Sequence, residues 1–503
     1  MQENVHSRYT VVELQARVDE LEKLVKLLQE QNRLLLHRQF AAKSEAHSLD
    51  QLPLFNLSQE TSPLENDLNQ NKITVLSHHR KRQQRITFSD DLPKRRIEID
   101  LGDHEKQCEC CQTPLTQIGE DITRKLEYIP AKVEIIEYAR LKYACKACEE
   151  TIKRPSLPNF ILPKSYATPS LLAHIIVSKF DDSLPLNRIE QQFKRQGIHL
   201  PVSTMSDLLI KIASQLEPIY HIMTEKMLSG PRIWTDDTIL PKQNDDPDRN
   251  RTIQARLWVY IGGPLKDPPL VVYDYSINRS SKWPIEKLKD FAGYKHADGY
   301  RGYKVLHETG NIKFVACWAH ARRKFFEASL LTEHAGKAQI MLDYIAKLYE
   351  VETHCKIMTD KKRKQYRSRY AKPILKQIKA WADYEVHRVL PKSQLGKAIQ
   401  YLLNHWHGLI RYLDAGHLTP DNSKAEQHIR PIALGRKNYL FVGSDRGGRA
   451  AAIFYSLVES CKNVGVNPYG YLVDVLTRIP ECESDEKLNK LVPGNWVGNG
   501  SER

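Results

Sequence analysis

Three acidic residues occupy positions from which their carboxylates could share divalent metal ions. Asp236 lies in the stretch from Arg232 to Thr238, whose apolar and β-branched residues predict a strand. Asp298 ends a second predicted strand, and Glu426 lies in a predicted helix. Two divalent ions activate a water or a 3′-hydroxyl at a phosphodiester, and Mg²⁺ prefers carboxylate oxygens. The pattern predicts phosphodiester chemistry; the alternative is that these are ordinary surface acids.

The order of the predicted elements around these acids is that of a ribonuclease H-like fold. Strands are predicted at 232–238, 257–262, 270–275, 294–298 and 312–318, with a helix at 283–291. In that fold the ends of the first and fourth strands are adjacent, so Asp236 and Asp298 can share a metal. The third acid arrives on a later helix, and Glu426 has that place.

Four cysteines form two C-x-x-C motifs. Each two-residue gap lets both thiolates of a motif reach one tetrahedral ion, so two motifs complete a structural Zn²⁺ site. Its predicted ligands are Cys108, Cys111, Cys145 and Cys148. Cys110 or His104 could replace a neighbouring ligand. The alternative is a redox site, which needs one such motif rather than two.

Leucines recur every seven residues near the N-terminus, at Leu14, Leu21, Leu28 and Leu35. This repeat predicts a short coiled coil, and we expect a homodimer or larger assembly through residues 11–36. The alternative is an amphipathic helix that packs on its own chain.

Residues 41–100 are predicted to form a polar linker that contains a basic cluster. It can contact DNA phosphates or form a solvated charge run. The cluster contains Arg80, Lys81, Arg82 and Arg85.

Two further helices are predicted next to the acidic strands. An amphipathic helix at 186–195 ends near Gly197, and a second helix runs from Met205 to about Gln215. Two helices joined through a glycine-containing turn have the outline of a DNA-binding helix-turn-helix. Plain helical packing is the alternative.

The composition narrows the class of protein. Lys and Arg number 75 against 61 Asp and Glu, giving a formal charge of +14, which favours a polyanionic partner such as double-stranded DNA. The hydrophobic content of 41% excludes wholesale disorder. No apolar run is long enough to span a bilayer, no secretory signal is visible, and nine cysteines suit a reducing compartment. These features predict a cytoplasmic, nucleoid-associated protein.

Several longer motifs together resemble those of a known family. The motifs are Trp234–Thr238, Ala297–Tyr303, Ala319–Phe325, Ala425–Asn438, Phe441–Gly448 and Asn467–Leu472. They resemble those of the large (TnpC-type) transposase subunit of the bacterial insertion sequence sixty-six elements, and the resemblance covers nearly the whole chain.

The resemblance implies a DDE transposase, which binds the terminal inverted repeats of its element and catalyses metal-dependent strand cleavage and strand transfer. Asp236, Asp298 and Glu426 then form the metal-binding triad, with Mg²⁺ or Mn²⁺ as cofactor, two ions per site. Asp237 is the alternative first acid. Two small accessory proteins of the same element are implied as partners. A catalytically silent DNA-binding regulator is the rival interpretation.

Other residues take roles from the same resemblance. Cys317 and His320 are similar to a C-x-x-H motif after the fifth strand of several DDE transposases, or they pack the core. Three cations on or just after the Glu426 helix hold DNA phosphates or form contacts within the fold. They are Arg430, Arg436 and Lys437. The basic run from 361 to 369 contacts DNA or forms a solvated face.

The predicted fold class is therefore multidomain α/β. We expect a coiled coil (1–40), a linker with a basic arm (41–100), a zinc ribbon (101–155) and a helix-turn-helix-like domain (160–228). A ribonuclease H-like core follows (230–330), then a helical insertion (331–416), the core helix with the third acid (417–446) and a C-terminal region (447–503).

Overall fold

The computed structural model of the chain describes residues 11–40, 133–144, 152–244, 252–303, 305–306, 310–331 and 336–497. The chain divides into two units, residues 44–135 and the remainder. The larger unit contains all of the described helices and strands.

The described segments contain fourteen α-helices and seven strands. The helices are α1 (Val11–Phe40), α2 (Pro169–Phe180), α3 (Leu186–Arg195), α4 (Val202–Leu228), α5 (Lys282–Lys287), α6 (Trp318–Ser329), α7 (Lys337–Cys355), α8 (Asp360–Glu385), α9 (Gln394–Asn404), α10 (Trp406–Ile410), α11 (Ser423–Tyr439), α12 (Asp445–Asn463), α13 (Pro468–Arg478) and α14 (Asp485–Asn489). The strands are β1 (Tyr143–Ala144), β2 (Ile152–Lys153), β3 (Arg232–Lys242), β4 (Ile253–Gly262), β5 (Leu270–Ser276), β6 (Gly293–Ala297) and β7 (Ile312–Ala316).

Strands β3 to β7 form one mixed sheet in the order β5-β4-β3-β6-β7. The β3–β4 and β4–β5 pairs are antiparallel, whereas β3–β6 and β6–β7 are parallel. All five strands predicted from the apolar runs are therefore present, and the chain is a mixed α/β protein with a helical N-terminus.

One edge of this sheet is covered by a buried helix. Every residue of α12 from 450 to 461 is buried, and two of its serines bond to the outer strand. Ser456 Oγ accepts from the Tyr273 amide at 2.8 Å, and Ser460 Oγ exchanges two 3.0 Å hydrogen bonds with the Val271 backbone. These contacts satisfy polar backbone groups of an edge strand that would otherwise be open to pairing.

The two helices of the predicted helix-turn-helix are present, but the second is longer than expected. Helix α3 ends before Gly197, whose φ of +79° suits a glycine. Helix α4 begins at Val202 and continues beyond the predicted end near Gln215 to Leu228. Its buried side chains keep a helical spacing through Met227 in spite of Pro218, and they belong to the same core as the sheet. Burial of this long apolar face extends the helix.

Helices α6 to α10 enclose a second hydrophobic cluster, and the segment predicted as a helical insertion contributes most of its residues. Arg367 lies at its centre and is 1% exposed. Its guanidinium forms two bonds of 2.8 and 2.6 Å to Glu352. It also donates to the carbonyls of Tyr412, Ala415 and Leu418. The basic run at 361–369 is therefore neither wholly solvated nor wholly free for DNA.

Helix α1 leaves its heptad face exposed. Leu21, Leu28 and Leu35 are 53%, 55% and 62% exposed, and Val18 and Val25 are similar. The helix thus does not bury this face against the described part of its own chain. Among the described helices, none is long and apolar enough to cross a membrane.

Candidate active site

The register of two parallel strands brings the first two predicted acids to the same level. Trp234 of β3 pairs with His296 of β6. Asp236 lies two residues after Trp234, and Asp298 lies two residues after His296. Because side chains alternate along a strand, the two carboxylates follow neighbouring strands on matching positions.

The third acid approaches from the first turn of α11, which packs against β3. The residue before this helix, Asn422, fixes the approach with two hydrogen bonds. Its side-chain amide donates to the Thr235 carbonyl at 2.9 Å, and its backbone N–H donates to Cys317 Sγ at 3.3 Å. Asn422 therefore links the start of the Glu426 helix to the strand that carries Asp236.

The charges of the other two acids raise the pKa of Asp236. Burial, with repulsion from Asp298, raises the pKa of Asp236 from 3.8 to about 7, and the charges of Asp237 and Glu426 act in the same direction. Glu426 Oε1 is buried and has no hydrogen-bond partner among the described residues. Buried carboxyl groups that repel one another hold a proton near neutral pH, and a divalent cation could replace that proton.

The carboxylate of Asp237, the alternative first acid, forms ion pairs with two arginines. Arg256 donates to one carboxylate oxygen at 3.0 Å, and Arg279 donates to the other from two nitrogens at 3.1 and 2.8 Å. The Asp237 side chain is 2% exposed. Since neighbouring residues of a strand point to opposite faces, Asp236 shares its face with Asp298 and Asp237 does not.

The C-x-x-H pair lies next to the third acid. Cys317 Sγ, a His320 ring nitrogen and a Glu426 oxygen lie within 4.8 Å of one another, and His320 Nδ1 is 3.8 Å from Glu426 Oε1. Burial raises the pKa of Cys317 to about 12 and lowers the pKa of His320. A sulfur, nitrogen and oxygen set suits Zn²⁺ better than Mg²⁺, whereas the three acids suit Mg²⁺, and Glu426 belongs to both groups.

The three cations of α11 differ in their surroundings. Arg430 and Lys437 are exposed. Arg436 is half-buried, and its Nη1 donates to Thr238 Oγ1 at 3.2 Å and to the Ile239 carbonyl at 2.7 Å. Arg436 thus holds α11 against β3, which is the within-fold alternative for this residue.

Two sets of predicted residues lie outside the described part of the chain. The zinc ligands are Cys108, Cys111, Cys145 and Cys148. The basic-arm residues are Arg80, Lys81, Arg82 and Arg85.

Sequence reasoning missed Asn422, Arg256 and Arg279 as neighbours of the acids. An asparagine before a helix predicts a cap to its own helix, but Asn422 bonds to a strand 187 positions away. Arg279 is 42 positions from Asp237. No local pattern carries such contacts, because they form only when the sheet assembles.

A family model described as "Transposase IS66 family" matches residues 164–450, more than half of the chain. The chain belongs to the IS66 transposase family. Three further models match other parts of this transposase. They are described as "Transposase C of IS166 homeodomain" (27–97), "zinc-finger binding domain of transposase IS66" (105–149) and "IS66 C-terminal element" (456–493). The family resemblance seen in the motifs is confirmed, and the IS66 transposase carries DNA-binding domains besides its main domain.

Relatives of the IS66 transposase occur in Sinorhizobium fredii. The uncharacterized protein y4jD is 34% identical over 418 residues, covering 80% of this chain and 81% of that protein. The uncharacterized protein y4hP is 31% identical, covering 84% and 79%. The uncharacterized protein y4qI is 30% identical, covering 78% and 74%.

Proposed function

We propose that this protein is a DDE transposase that binds the terminal inverted repeats of its element and catalyses cleavage and strand transfer of their DNA. The observation that carries the proposal is the matching position of Asp236 on β3 and of Asp298 just after β6, with Glu426 near enough to raise the pKa of Asp236. A regulator without catalytic activity has no need of three converging carboxylates.

The catalytic core is, in this proposal, ribonuclease H-like. Three antiparallel strands, β3 to β5, are followed by β6 and β7, which run parallel to β3 on its other side. This order supports the assignment, since β3, which carries Asp236, pairs directly with β6, which Asp298 follows.

Asp236, Asp298 and Glu426 would hold Mg²⁺ or Mn²⁺, two ions per site. When bound, such ions activate the attacking water or 3′-hydroxyl and stabilise the leaving oxygen. The surrounding residues fix the acids beforehand. Asn422 sets the position of Glu426, and the pairing of Asp237 with two arginines leaves Asp236 as the acid of β3 that faces the other two.

DNA recognition is assigned to parts of the chain that precede the core and to two exposed cations of α11. The zinc-finger segment at 105–149 would hold structural Zn²⁺, and α3 and α4 would form the helix-turn-helix contact. The proposed zinc ligands are Cys108, Cys111, Cys145 and Cys148. The proposed phosphate contacts are Arg80, Lys81, Arg82, Arg85, Arg430 and Lys437.

The exposed heptad face of α1 supports assembly of two or more copies through residues 11–36. Burying these leucines between helices would remove apolar surface from water, which stabilises the assembly. The two small accessory proteins remain part of the proposal as partners encoded by the same element.

The test is movement of a marked element bounded by its native ends in cells, with wild type compared to Glu426→Gln. The matched control is Glu486→Gln, which changes a glutamate that is 82% exposed on α14. We expect wild type and the control to move the marker, and Glu426→Gln to bind an end duplex without moving it. Equal activity of wild type and Glu426→Gln would contradict the assignment. Binding by wild type without any movement would favour the regulator.

A further inference from the structure

An exposed stripe runs along α11 away from the third acid. Arg430, Leu434 and Lys437 follow Glu426 at steps of four, four and three residues, so all four lie on one side of the helix. Arg430 and Lys437 are exposed, and Leu434 is 58% exposed. The stripe therefore begins at the candidate active site and carries two cations and one apolar side chain.

The stripe ends in two exposed apolar residues, Leu440 and Phe441, here called the apolar tip. Leu440 is 63% exposed and Phe441 is 42% exposed. Leu440 has φ +65° and ψ −53°, and the Phe441 N–H donates back to the Tyr439 carbonyl at 2.8 Å. This is a tight γ-turn of the rare, strained hand.

The tip is held rigidly from both sides. The Leu440 N–H donates to the Arg436 carbonyl at 2.9 Å, which closes the last turn of α11. Immediately after the tip, Val442 exchanges hydrogen bonds of 2.8 Å with the backbone of Pro241 and Gln243 at the end of β3. The two apolar side chains are thus presented to solvent on a fixed support.

Folding of the single chain does not explain this arrangement. An exposed leucine gains little from the hydrophobic effect, and a leucine in the left-handed region adds strain that a glycine would avoid. Strained residues that persist cluster at functional sites. The tip therefore points to a contact made outside the chain.

The surroundings of the tip favour nucleic acid as that contact. Arg446 and Arg449 are exposed on α12 beyond the tip, so exposed cations lie before and after it. Asn438 donates to the Ser183 carbonyl at 3.1 Å, which puts the tip beside the connection between α2 and α3, the first helix of the proposed helix-turn-helix. A polyanion that binds at the tip would therefore meet positive charge on both sides of it.

The spacing fits a duplex lying along α11. Leu440 is fourteen residues after Glu426, and a rise of 1.5 Å per residue places the tip about 21 Å along the helix. At about 3.4 Å per base pair, this length corresponds to roughly six base pairs of DNA.

We propose that the apolar tip, Leu440 and Phe441, inserts into the base stack of the element's end DNA roughly six base pairs from the phosphate cleaved at Glu426. Arg430 and Lys437 contact the intervening phosphates. Apolar side chains that wedge between base steps unstack and kink a duplex, and a kink fixes the register of the cleaved phosphate. The inference rests on the proposed function and adds a second DNA contact to it.

The experiment uses the full-length protein and duplexes of the inverted repeat that flanks its gene, with 2-aminopurine placed at successive positions inward from the cleaved end. Its fluorescence rises when a base loses its stacking partner. We expect a several-fold rise, confined to positions near the sixth base pair, when wild type binds. Leu440→Gly combined with Phe441→Ala should remove this rise while binding persists.

The variants are chosen so that loss of the signal is not loss of the fold. Glycine accepts φ +65° without strain, so Leu440→Gly should unfold at a temperature no lower than that of wild type. Ile357→Ala is the matched control, because Ile357 is an apolar side chain 96% exposed on the helical insertion. This control should leave the fluorescence rise unchanged.

Three outcomes separate the inference from the proposed function. Cleavage by wild type with no fluorescence rise at any position contradicts the wedge alone. A local rise that depends on the tip, without cleavage or strand transfer, supports the wedge and contradicts the enzyme. If the tip variant keeps the fluorescence rise but sediments as a smaller assembly, the tip contacts protein and the inference is overturned.

Discussion

At the scale of single residues, two adjacent aspartates of one strand have opposite surroundings. Asp236 lies near two other carboxylates and holds its proton to about pH 7. Asp237 is neutralised by Arg256 and Arg279. The difference follows from strand geometry, since successive side chains leave the sheet on opposite faces. The Asp236 carboxyl therefore lies among like charges, whereas the Asp237 carboxylate is paired with two arginines.

The raised pKa of Asp236 predicts pH-dependent metal binding. Below about pH 7 the proton competes with the cation, so Mg²⁺ affinity should fall by up to about tenfold per pH unit and binding should release a proton. Isothermal titration at pH 6 in buffers of different ionisation enthalpy measures this release. Asp236→Asn should abolish it. Affinity that does not vary between pH 6 and 8 would contradict the prediction.

The same shift affects stability in the absence of metal. Folding raises the pKa of Asp236 from 3.8 to about 7, so between these values the native state binds more protons than the unfolded state. Its contribution to the free energy of unfolding therefore falls as pH rises through this window. Excess Mg²⁺ should reverse the fall, and thermal unfolding from pH 4 to pH 8 would measure both effects.

Replacing each of the two aspartates by asparagine in turn should separate the effect on metal binding from the effect on stability. Asp237→Asn leaves two arginines without their carboxylate and should lower the free energy of unfolding by about 1–3 kcal/mol while Mg²⁺ affinity persists. Asp236→Asn should do the opposite. Urea unfolding and metal titration of both variants test this pair, and loss of metal binding in Asp237→Asn alone would make Asp237 the first acid.

At the scale of elements, the helices are tied to one another by buried polar groups as well as by apolar packing. Asn422 connects α11 to β3, and Arg436 makes a second connection further along the same helix. Arg367 joins α7, α8 and the segment that returns to the core. Such bonds are directional, so they fix the rotation of a helix more closely than apolar contact does.

Arg367→Met should destabilise the helical insertion. The change leaves Glu352 without its partner and three carbonyls without a donor, which typically costs about 3–5 kcal/mol for a buried pair. Arg369→Met is the control, because Arg369 is exposed on the same helix. Chemical unfolding should show a large loss for the first variant and almost none for the second. Equal stability of the two would place Arg367 at the surface.

At the scale of the whole molecule, the family matches divide the chain into successive parts. The family matches at 27–97 and 105–149 precede the match at 164–450 along the chain. The proposed pairing of copies through α1 would bring two such chains into one assembly.

Polar substitutions on the heptad face should lower the mass of the assembly. Leu21→Asn with Leu28→Asn replaces two exposed apolar side chains that would be buried between helices. Lys23→Ser changes an exposed residue of the same helix on its outer side and serves as the control. Analytical ultracentrifugation should give a smaller species for the double variant only. An unchanged mass of the assembly formed by the double variant would contradict pairing through α1.

The sequence by itself determined the five strands of the sheet, and it predicted a helical insertion and three candidate acids. Apolar periodicity reports burial, and burial fixes which segments become strands or helices. The motifs also determined the family. These signals are local, because each needs only a short window of neighbouring residues.

Only the tertiary structure showed that the two adjacent aspartates have different surroundings and that two arginines pair with Asp237. Asp237 lies on β3, Arg436 on α11 and Arg279 in the connection between β5 and α5, and nothing in their local sequence separates a DNA contact from an internal one. Their partners lie tens to hundreds of positions away. The register of β3 against β6 and the packing of α11 on β3 bring these groups together, and the hydrogen bonds between them form only at such short distances in space.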